Sequence, residues 1–222
     1  PGLYIMTVLD KKNGCSQIDT VMIASDVNLP IATINLPDTI TCLKSIIDLN
    51  GSGSSNGIDY GISWTVINGN IIGPVDSLNT KTDQQGTYIL KIINQLNGCI
   101  ASDTVIVAKD TQVPIANAGL SNTITCNNPI LNLDGGGSSS GPIFNYNWST
   151  ISGNIISGQN SINPIIDKPG IYTLLVTNTK NGCTSQMDVE IFEDKTKPDV
   201  LVIPDAEVNC TNPVIQLSAT NN

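Results

Sequence analysis

The sequence contains no histidine and only three glutamates, Glu190, Glu193 and Glu207, among its 222 residues. Histidine is the commonest general acid or base near neutral pH, so this chain has few side chains suited to proton transfer in catalysis. The aspartates do not follow a spacing that would place two carboxylates on either side of a cleft, as glycoside hydrolysis requires. We therefore expect no enzymatic activity and no catalytic residues.

Cations and long apolar runs are also scarce. The chain has ten lysines plus arginines and 19 acidic residues, which gives a formal net charge of −9. Nucleic acids are bound through clustered cations, so a nucleic-acid partner is disfavoured. No apolar run reaches the roughly 18 residues that span a bilayer, so we expect no membrane insertion in this segment. The chain begins without a methionine, and we expect a fragment whose secretion signal and anchor lie elsewhere.

A repeat of 84 residues runs through the chain without a gap. Two sets of cysteines recur at this interval: Cys42, Cys126 and Cys210, and Cys15, Cys99 and Cys183. The period exceeds the roughly 20 to 50 residues of solenoid repeats, so each repeat is expected to be a domain. The predicted divisions are 1–30 (the last strands of a preceding repeat), 31–114 and 115–198 (complete repeats), and 199–222 (the first strands of a following repeat).

Short strands joined by turns dominate the pattern within each repeat. Tyr88, Leu90 and Ile92 alternate with Thr87, Ile89 and Lys91 at the two-residue period of a strand. Asn97-Gly98 follows and predicts a tight hairpin turn, since both residues tolerate a positive φ. The fold class is therefore all-β. The predicted core anchors are Trp64, Trp148, Tyr4, Tyr88 and Tyr172.

A glycine-rich segment separates two strands of each repeat, at 51–57 and again at 135–141. A phosphate-binding loop would need a lysine and a hydroxyl residue directly after its glycines, and then a helix. A strand pattern follows instead. We interpret both segments as flexible loops between strands.

Six short stretches of the chain have a familiar pattern: Pro114–Gly119, Thr125–Cys126, Leu133–Gly135, Tyr146–Trp148, Pro169–Tyr172 and Asn181–Cys183. In these stretches the chain resembles tandem PKD/HYR-like domains, which are immunoglobulin-like repeats of very large bacterial surface proteins exported by the type IX route. The resemblance implies sandwiches of about seven strands, arranged as beads on a string or a stacked filament. It also implies a role in gliding adhesins or grappling-hook filaments. The corresponding start at 31–35 lacks the Ala-Gly pair and departs from the pattern.

Two cysteines per repeat indicate an oxidising compartment and a disulfide framework. We expect Cys42 to pair with Cys99 and Cys126 with Cys183, leaving Cys15 and Cys210 to partners outside the fragment. Two other pairings stay open. One joins Cys42 to Cys183 between repeats, and the other pairs neighbours as Cys15–Cys42, Cys99–Cys126 and Cys183–Cys210. There is no CxxC motif, and no metal site is firmly predicted.

Each junction between repeats carries an aspartate followed four residues later by a proline. The aspartates Asp26, Asp110 and Asp194 are weak calcium candidates, because Ca²⁺ takes six to eight oxygen ligands and few others can be named. The alternative is a solvated strand end. Proline in so short a link limits bending.

Four Asp-(Ser/Thr)-apolar triplets match the O-glycan acceptor pattern of bacteria with this secretion route. The acceptors would be Thr20, Thr39, Ser77 and Thr104. The alternative interpretation is that such triplets only serve the strands in which they lie.

These observations predict a structural segment of a secreted filament or adhesin stalk at the cell surface, used in attachment, gliding or prey capture. We expect self-association into a multi-chain filament, with other cells or surface glycans bound at a distal tip. A module that binds carbohydrate or a cell surface through its loops is the alternative.

Overall fold

The computed structural model describes residues 1–202, 208–211, 213–214 and 219–221, and these residues form strands, turns and irregular loops. No helix occurs among these residues, and the predicted all-β class is confirmed. The chain divides into two units, Pro1–Gln112 and Val113–Asn222. Part of the predicted segment 199–222 lies outside the described residues.

The first unit contains seven strands. They are β1 (Gly2–Leu9), β2 (Ser16–Ile23), β3 (Ile47–Asn50), β4 (Tyr60–Ile67), β5 (Asn79–Thr82), β6 (Gly86–Asn94) and β7 (Ile100–Val107). Strands β4, β6 and β7 form one antiparallel sheet in the order β4-β6-β7, and β3 pairs antiparallel with β5 in another. Ile40 adds a parallel bridge to Lys109.

These two sheets enclose one apolar core. On β6 every second side chain points inward, and Tyr88, Leu90 and Ile92 are completely buried. They pack with Ile47 and Leu49 from the facing sheet. Two sheets that share a core in this way form a β-sandwich.

The described part of the second unit contains nine strands. They are β8 (Asn122–Thr125), β9 (Leu131–Asn132), β10 (Phe144–Thr150), β11 (Ile155–Ser157), β12 (Ile165–Ile166), β13 (Gly170–Asn178), β14 (Thr184–Asp194), β15 (Val200–Val202) and β16 (Ala219–Asn221). One sheet has the order β10-β13-β14-β8, with β8 parallel to β14, and another has the order β11-β12-β9. Together they enclose a second core, and β15 pairs with β16 separately.

Each sandwich has one tryptophan at its centre. Trp64 on β4 and Trp148 on β10 are almost fully buried, and each indole N–H donates to a backbone carbonyl thirteen residues later. The two distances are 2.8 Å to Ser77 O and 3.1 Å to Ser161 O. An indole buried with its N–H satisfied adds apolar area to the core without an unpaired donor.

A buried tyrosine at the start of β6 and of β13 fixes two loops. The Tyr172 hydroxyl donates to Lys168 O at 2.6 Å and accepts from Asn154 N at 3.0 Å. Tyr88 makes the matching bonds to Gln84 O at 2.7 Å and Asn70 N at 3.2 Å. Burial raises the pKa of the Tyr172 phenol, which therefore stays protonated as a donor.

The hairpin of β1 and β2 has a different environment. Tyr4 stands at the position of Tyr88 in the repeat, but it is 55% exposed. Strands β1 and β2 pair only with each other among the described strands, so no facing sheet covers them. The prediction of Tyr4 as a core anchor is therefore wrong for this structure.

Candidate functional site at the start of each repeat

The chain enters each complete repeat through a buried proline. Pro30 and Pro114 are buried, whereas the residues on both sides of each proline are exposed. Proline has no N–H, so its burial leaves no backbone donor unsatisfied. Both repeats therefore begin at a point that is packed into the domain.

Two serines of the glycine-rich loop bind the backbone directly after Pro30. Ser55 Oγ accepts from Ile31 N at 2.9 Å, and Ser55 N donates to Ile31 O at 2.9 Å. Ser54 Oγ accepts from Thr33 N at 2.9 Å and donates to Thr33 O at 3.1 Å. Both backbone polar groups of Ile31 and of Thr33 are thereby satisfied. We call this serine pair and its counterpart in the second unit the serine clamp.

The second unit repeats the clamp at the same positions. Ser139 Oγ accepts from Ile115 N at 2.8 Å, and Ser139 N donates to Ile115 O at 2.9 Å. Ser138 Oγ accepts from Asn117 N at 2.9 Å and donates to Asn117 O at 3.1 Å. The clamp is therefore a property of the repeat rather than of one loop.

The loops at 51–57 and 135–141 are therefore held in place by hydrogen bonds, contrary to the prediction that they are flexible connections. At Gly51 an added Cβ would lie 2.6 Å from Leu90 Cδ2 and 2.7 Å from Leu78 O. At Gly135 it would lie 2.5 Å from Ile162 O. Glycine is present here because the backbone lies against the core. The recurrence of two adjacent serines in both loops was the sequence signal for the clamp.

In the first unit the turn between β6 and β7 also holds the linker before Pro30. Asn97 Nδ2 donates to Asn28 O at 3.1 Å, and Asp26 Oδ1 accepts from Asn28 N at 3.1 Å. The Asn28 N–H and then the Asn97 amide hold the pKa of the Asp26 carboxyl below its usual range. The linker is thus bonded to the repeat that it enters.

The three junction aspartates have turn-forming roles. Asp110 Oδ1 accepts from Gln112 N at 3.5 Å, and Asp194 Oδ1 accepts from Thr196 N at 3.2 Å, as Asp26 does with Asn28. The Thr196 backbone and side chain lower the pKa of Asp194. Within the described residues, no group of three or more His, Cys, Asp or Glu side chains could hold a metal ion.

The cysteines differ from the first of the predicted pairings. Cys42 and Cys183 are each disulfide-bonded. Cys15, Cys99, Cys126 and Cys210 carry free thiols. The pairs Cys42–Cys99 and Cys126–Cys183 are therefore not those of the structure, and neither are the pairs between sequence neighbours. The sequence could not choose, because the 84-residue period is compatible with all three patterns.

Three of the four possible glycan acceptors lie at the surface. Thr20, Thr39 and Thr104 are exposed, and Ser77 is half-buried. Next to Thr104, Asp103 Oδ2 accepts from Ile34 N at 2.7 Å, so this aspartate holds the first segment of its repeat. Glycosylation stays a prediction.

A cleft of about 610 Å³ opens in the second unit beside β9. Asp134 is the one ionisable side chain among its lining residues, and its Oδ1 accepts from Gly136 N at 2.9 Å. The cleft therefore contains neither an acid–base pair nor a nucleophile with an adjacent base.

No helix in the described part of the chain is long and apolar enough to cross a membrane.

Three features define immunoglobulin-like domains in tandem. They are the two-sheet sandwich, the buried tryptophan on β4 and on β10, and the tyrosine whose hydroxyl donates to a backbone carbonyl four residues earlier. No protein-family model matches the chain, and no curated protein matches it.

Solved structures with similar folds include an eight-domain fragment of Down syndrome cell adhesion molecule, at 12% identity and a TM-score of 0.46, covering 87% of this chain and 28% of that one. The titin I-band fragment I67–I69 has 9% identity and a TM-score of 0.41, covering 78% and 70%. Drosophila N-cadherin EC1–4 has 12% identity and a TM-score of 0.32, covering 99% and 68%. These similarities are too low to carry an argument about function.

Proposed function

We propose that the chain is a structural segment of a long extracellular stalk, in which immunoglobulin-like repeats carry a distal adhesive part away from the cell. The observation that supports this most is the serine clamp, which recurs at identical positions in both complete repeats. A domain that fixes the chain entering it limits bending at that point. Limited bending is what a stalk needs.

The burial of the tryptophan and of the core tyrosine in both complete repeats favours a stalk over a carbohydrate-binding module. Sugars stack on exposed aromatic rings, whereas Trp64, Trp148, Tyr88 and Tyr172 are all in the cores. The Tyr146 hydroxyl donates to Ser139 O at 2.9 Å and supports the loop that carries the clamp. These rings contribute to the fold rather than to a recognition surface.

The proposal includes an extracellular location, because disulfide-bonded Cys42 and Cys183 are typical of an oxidising compartment. The resemblance to PKD/HYR-like repeats further suggests export by the type IX route and a role in gliding or prey capture. O-glycans at exposed Thr20, Thr39 and Thr104 would protect such a stalk from proteases. No calcium ion is part of the proposal, since the junction aspartates already serve as turn acceptors.

Electron microscopy of the native full-length protein, taken from the cell surface without reduction, tests the proposal. The nine residues of β6 span about 30 Å and the eleven of β14 about 37 Å at ~3.4 Å per residue, so with its loops each domain is expected to be roughly 35 to 40 Å long. We expect extended particles with beads at roughly this spacing. Compact particles would contradict the stalk and favour the binding module.

A paired variant tests the clamp itself. Ser54→Ala removes the partner of both Thr33 backbone groups, whereas Ser52→Ala changes an exposed serine of the same loop. Hydrogen exchange at the Thr33 amide should accelerate about tenfold or more in the first variant, in line with the loss of a partly buried hydrogen bond. The second variant should match the parent chain. Equal exchange in all three would show that the clamp does not hold the entry segment.

A further inference from the structure

The outer face of the smaller sheet carries exposed isoleucines at the same positions in both units. On β3, Ile47 and Leu49 point into the core and Asp48 points outward, and Ile46, directly before the strand, is exposed as well. Ile72 lies beside β5 through a 2.9 Å bond from its N–H to Lys81 O, and it is also exposed. We call this surface, with its counterpart at Ile130 and Ile156, the isoleucine face.

The exposed fractions agree between the units. Ile46 and Ile130 are 48% and 54% exposed, and Ile72 and Ile156 are 45% and 48% exposed. In the second unit Ile165 replaces Lys81, so the apolar surface there is larger. Repeated exposure of large aliphatic side chains has a free-energy cost in water and is typical of an interface.

The opposite sheet shares this pattern at one position, where Ile67 at the end of β4 and Ile151 just after β10 are both exposed. Elsewhere on that sheet the exposed residues differ. Ile106 on β7 is 72% exposed, but the equivalent residue on β14 is Glu190. Likewise Ile100 is replaced by Thr184. On β7 and β14 exposed aliphatic residues therefore vary between the repeats, whereas those of the isoleucine face are retained.

The net charge on the face is small although the chain is acidic. In the first unit Asp48 Oδ1 lies 3.6 Å from Lys81 Nζ, and in the second unit Asn132 and Ile165 occupy these positions without charge. The carboxylates at the rim, Asp83 and Asp167, accept from asparagine side chains at 3.1 Å and 2.7 Å. Among these residues one uncompensated carboxylate remains in each unit, Asp83 or Asp167, which limits the repulsion between two copies with a net charge of −9 each.

We propose that the isoleucine face binds a second copy of this chain side by side. The face recurs once in every 84 residues, so a partner that contacts it in each repeat needs binding surfaces at the same interval. A second copy of this chain has them, because it consists of the same repeats. The inference rests on the proposed stalk function, because only a long array presents the face many times. Weak contacts then add along the array.

Sedimentation velocity of the chain over micromolar to millimolar concentrations tests the pairing. We expect concentration-dependent self-association, weakened about tenfold or more by Ile46→Glu combined with Ile130→Glu. Ile106→Glu is the matched control, because it introduces the residue that the second unit already has at the equivalent position. It should leave the association unchanged.

Two outcomes would overturn the proposal: a monomeric parent chain at the highest concentration, which would leave the face to a different partner, or equal weakening by the control. Near-ultraviolet circular dichroism identifies any variant that unfolds, and Ile72→Thr with Ile156→Thr then replaces it as the milder change. Small-angle X-ray scattering of the same samples separates this result from the stalk function. Extended monomers would contradict only the pairing, and compact particles would contradict the stalk itself.

Discussion

The hydroxyl groups inside the first sandwich show how strongly position determines the role of one residue. Thr82 Oγ1 donates to Gln84 O and accepts from Gln84 N, both at 3.0 Å, and also contacts the Tyr88 hydroxyl. Thr80, two residues earlier on the same strand, has a buried hydroxyl without a partner. A buried hydroxyl that makes no hydrogen bond costs stability, whereas a bonded one contributes to it.

Thr80→Val should therefore stabilise the first unit by about 1 kcal/mol, because it removes an unpaired polar atom and keeps the side-chain shape. Thr82→Val is the control and should destabilise the unit by about 1–3 kcal/mol, since it leaves partners unsatisfied. Urea unfolding measures both changes. A loss of stability in Thr80→Val would mean that its hydroxyl has a partner in solution.

The lowered pKa of Asp26 makes the linker sensitive to acid. Because the folded-state pKa lies below the unfolded value of about 3.9, the contribution of Asp26 is present above that pH and lost as the pH falls through the folded pKa. We expect the protection factor of the Asn28 amide to fall on acidification below about pH 4. Asp26→Asn should abolish this pH dependence. An unchanged protection factor in the parent chain would contradict the assignment.

At the scale of elements, the sequence pattern predicted the strands and turns that depend on residues close together in the chain. The alternation of Tyr88, Leu90 and Ile92 predicted β6, and Asn97-Gly98 predicted its turn, where Gly98 has a φ of +74°. The serine clamp was missed, because its bonds join residues 21 and 24 positions apart and depend on the path of the whole sandwich. The cysteine pairing and the exposure of Tyr4 also depend on which surfaces meet, and a sequence pattern does not contain that information.

The glycine-rich loop offers a comparison between two glycines of one element. Gly51→Ala should destabilise the first unit by about 1–3 kcal/mol, because its Cβ would overlap Leu90 and the Leu78 carbonyl. At Gly53 the nearest atoms are 3.7 Å away, an ordinary contact. Gly53→Ala should therefore be neutral or slightly stabilising. Thermal unfolding measures the two, and equal effects would contradict the close packing at Gly51.

On the scale of the whole molecule, the net negative charge disfavours the self-association that the isoleucine face favours. Each copy has a net charge of −9, so two copies repel one another over distances comparable with the Debye length. The isoleucine face offers a short-range attraction that salt does not weaken. The balance between the two should therefore depend on ionic strength.

Raising the salt concentration from about 0.01 M to about 1 M shortens the Debye length from about 30 Å to about 3 Å. We expect self-association to strengthen, because repulsion is screened while apolar contact persists. Sedimentation at the two salt concentrations measures the change. Weaker association in high salt would indicate that opposite charges, rather than the isoleucine face, hold the copies together.

The serine clamp also bears on how such a chain can change in length. Every bond of the clamp in the first unit, and the Asn97 bond to the linker, is supplied by the repeat that follows the junction. A duplicated or deleted stretch of 84 residues would therefore take its own joint with it. Recombination between repeats could lengthen or shorten the array by whole domains without creating a faulty junction, so that reach could be adjusted in evolution independently of stiffness.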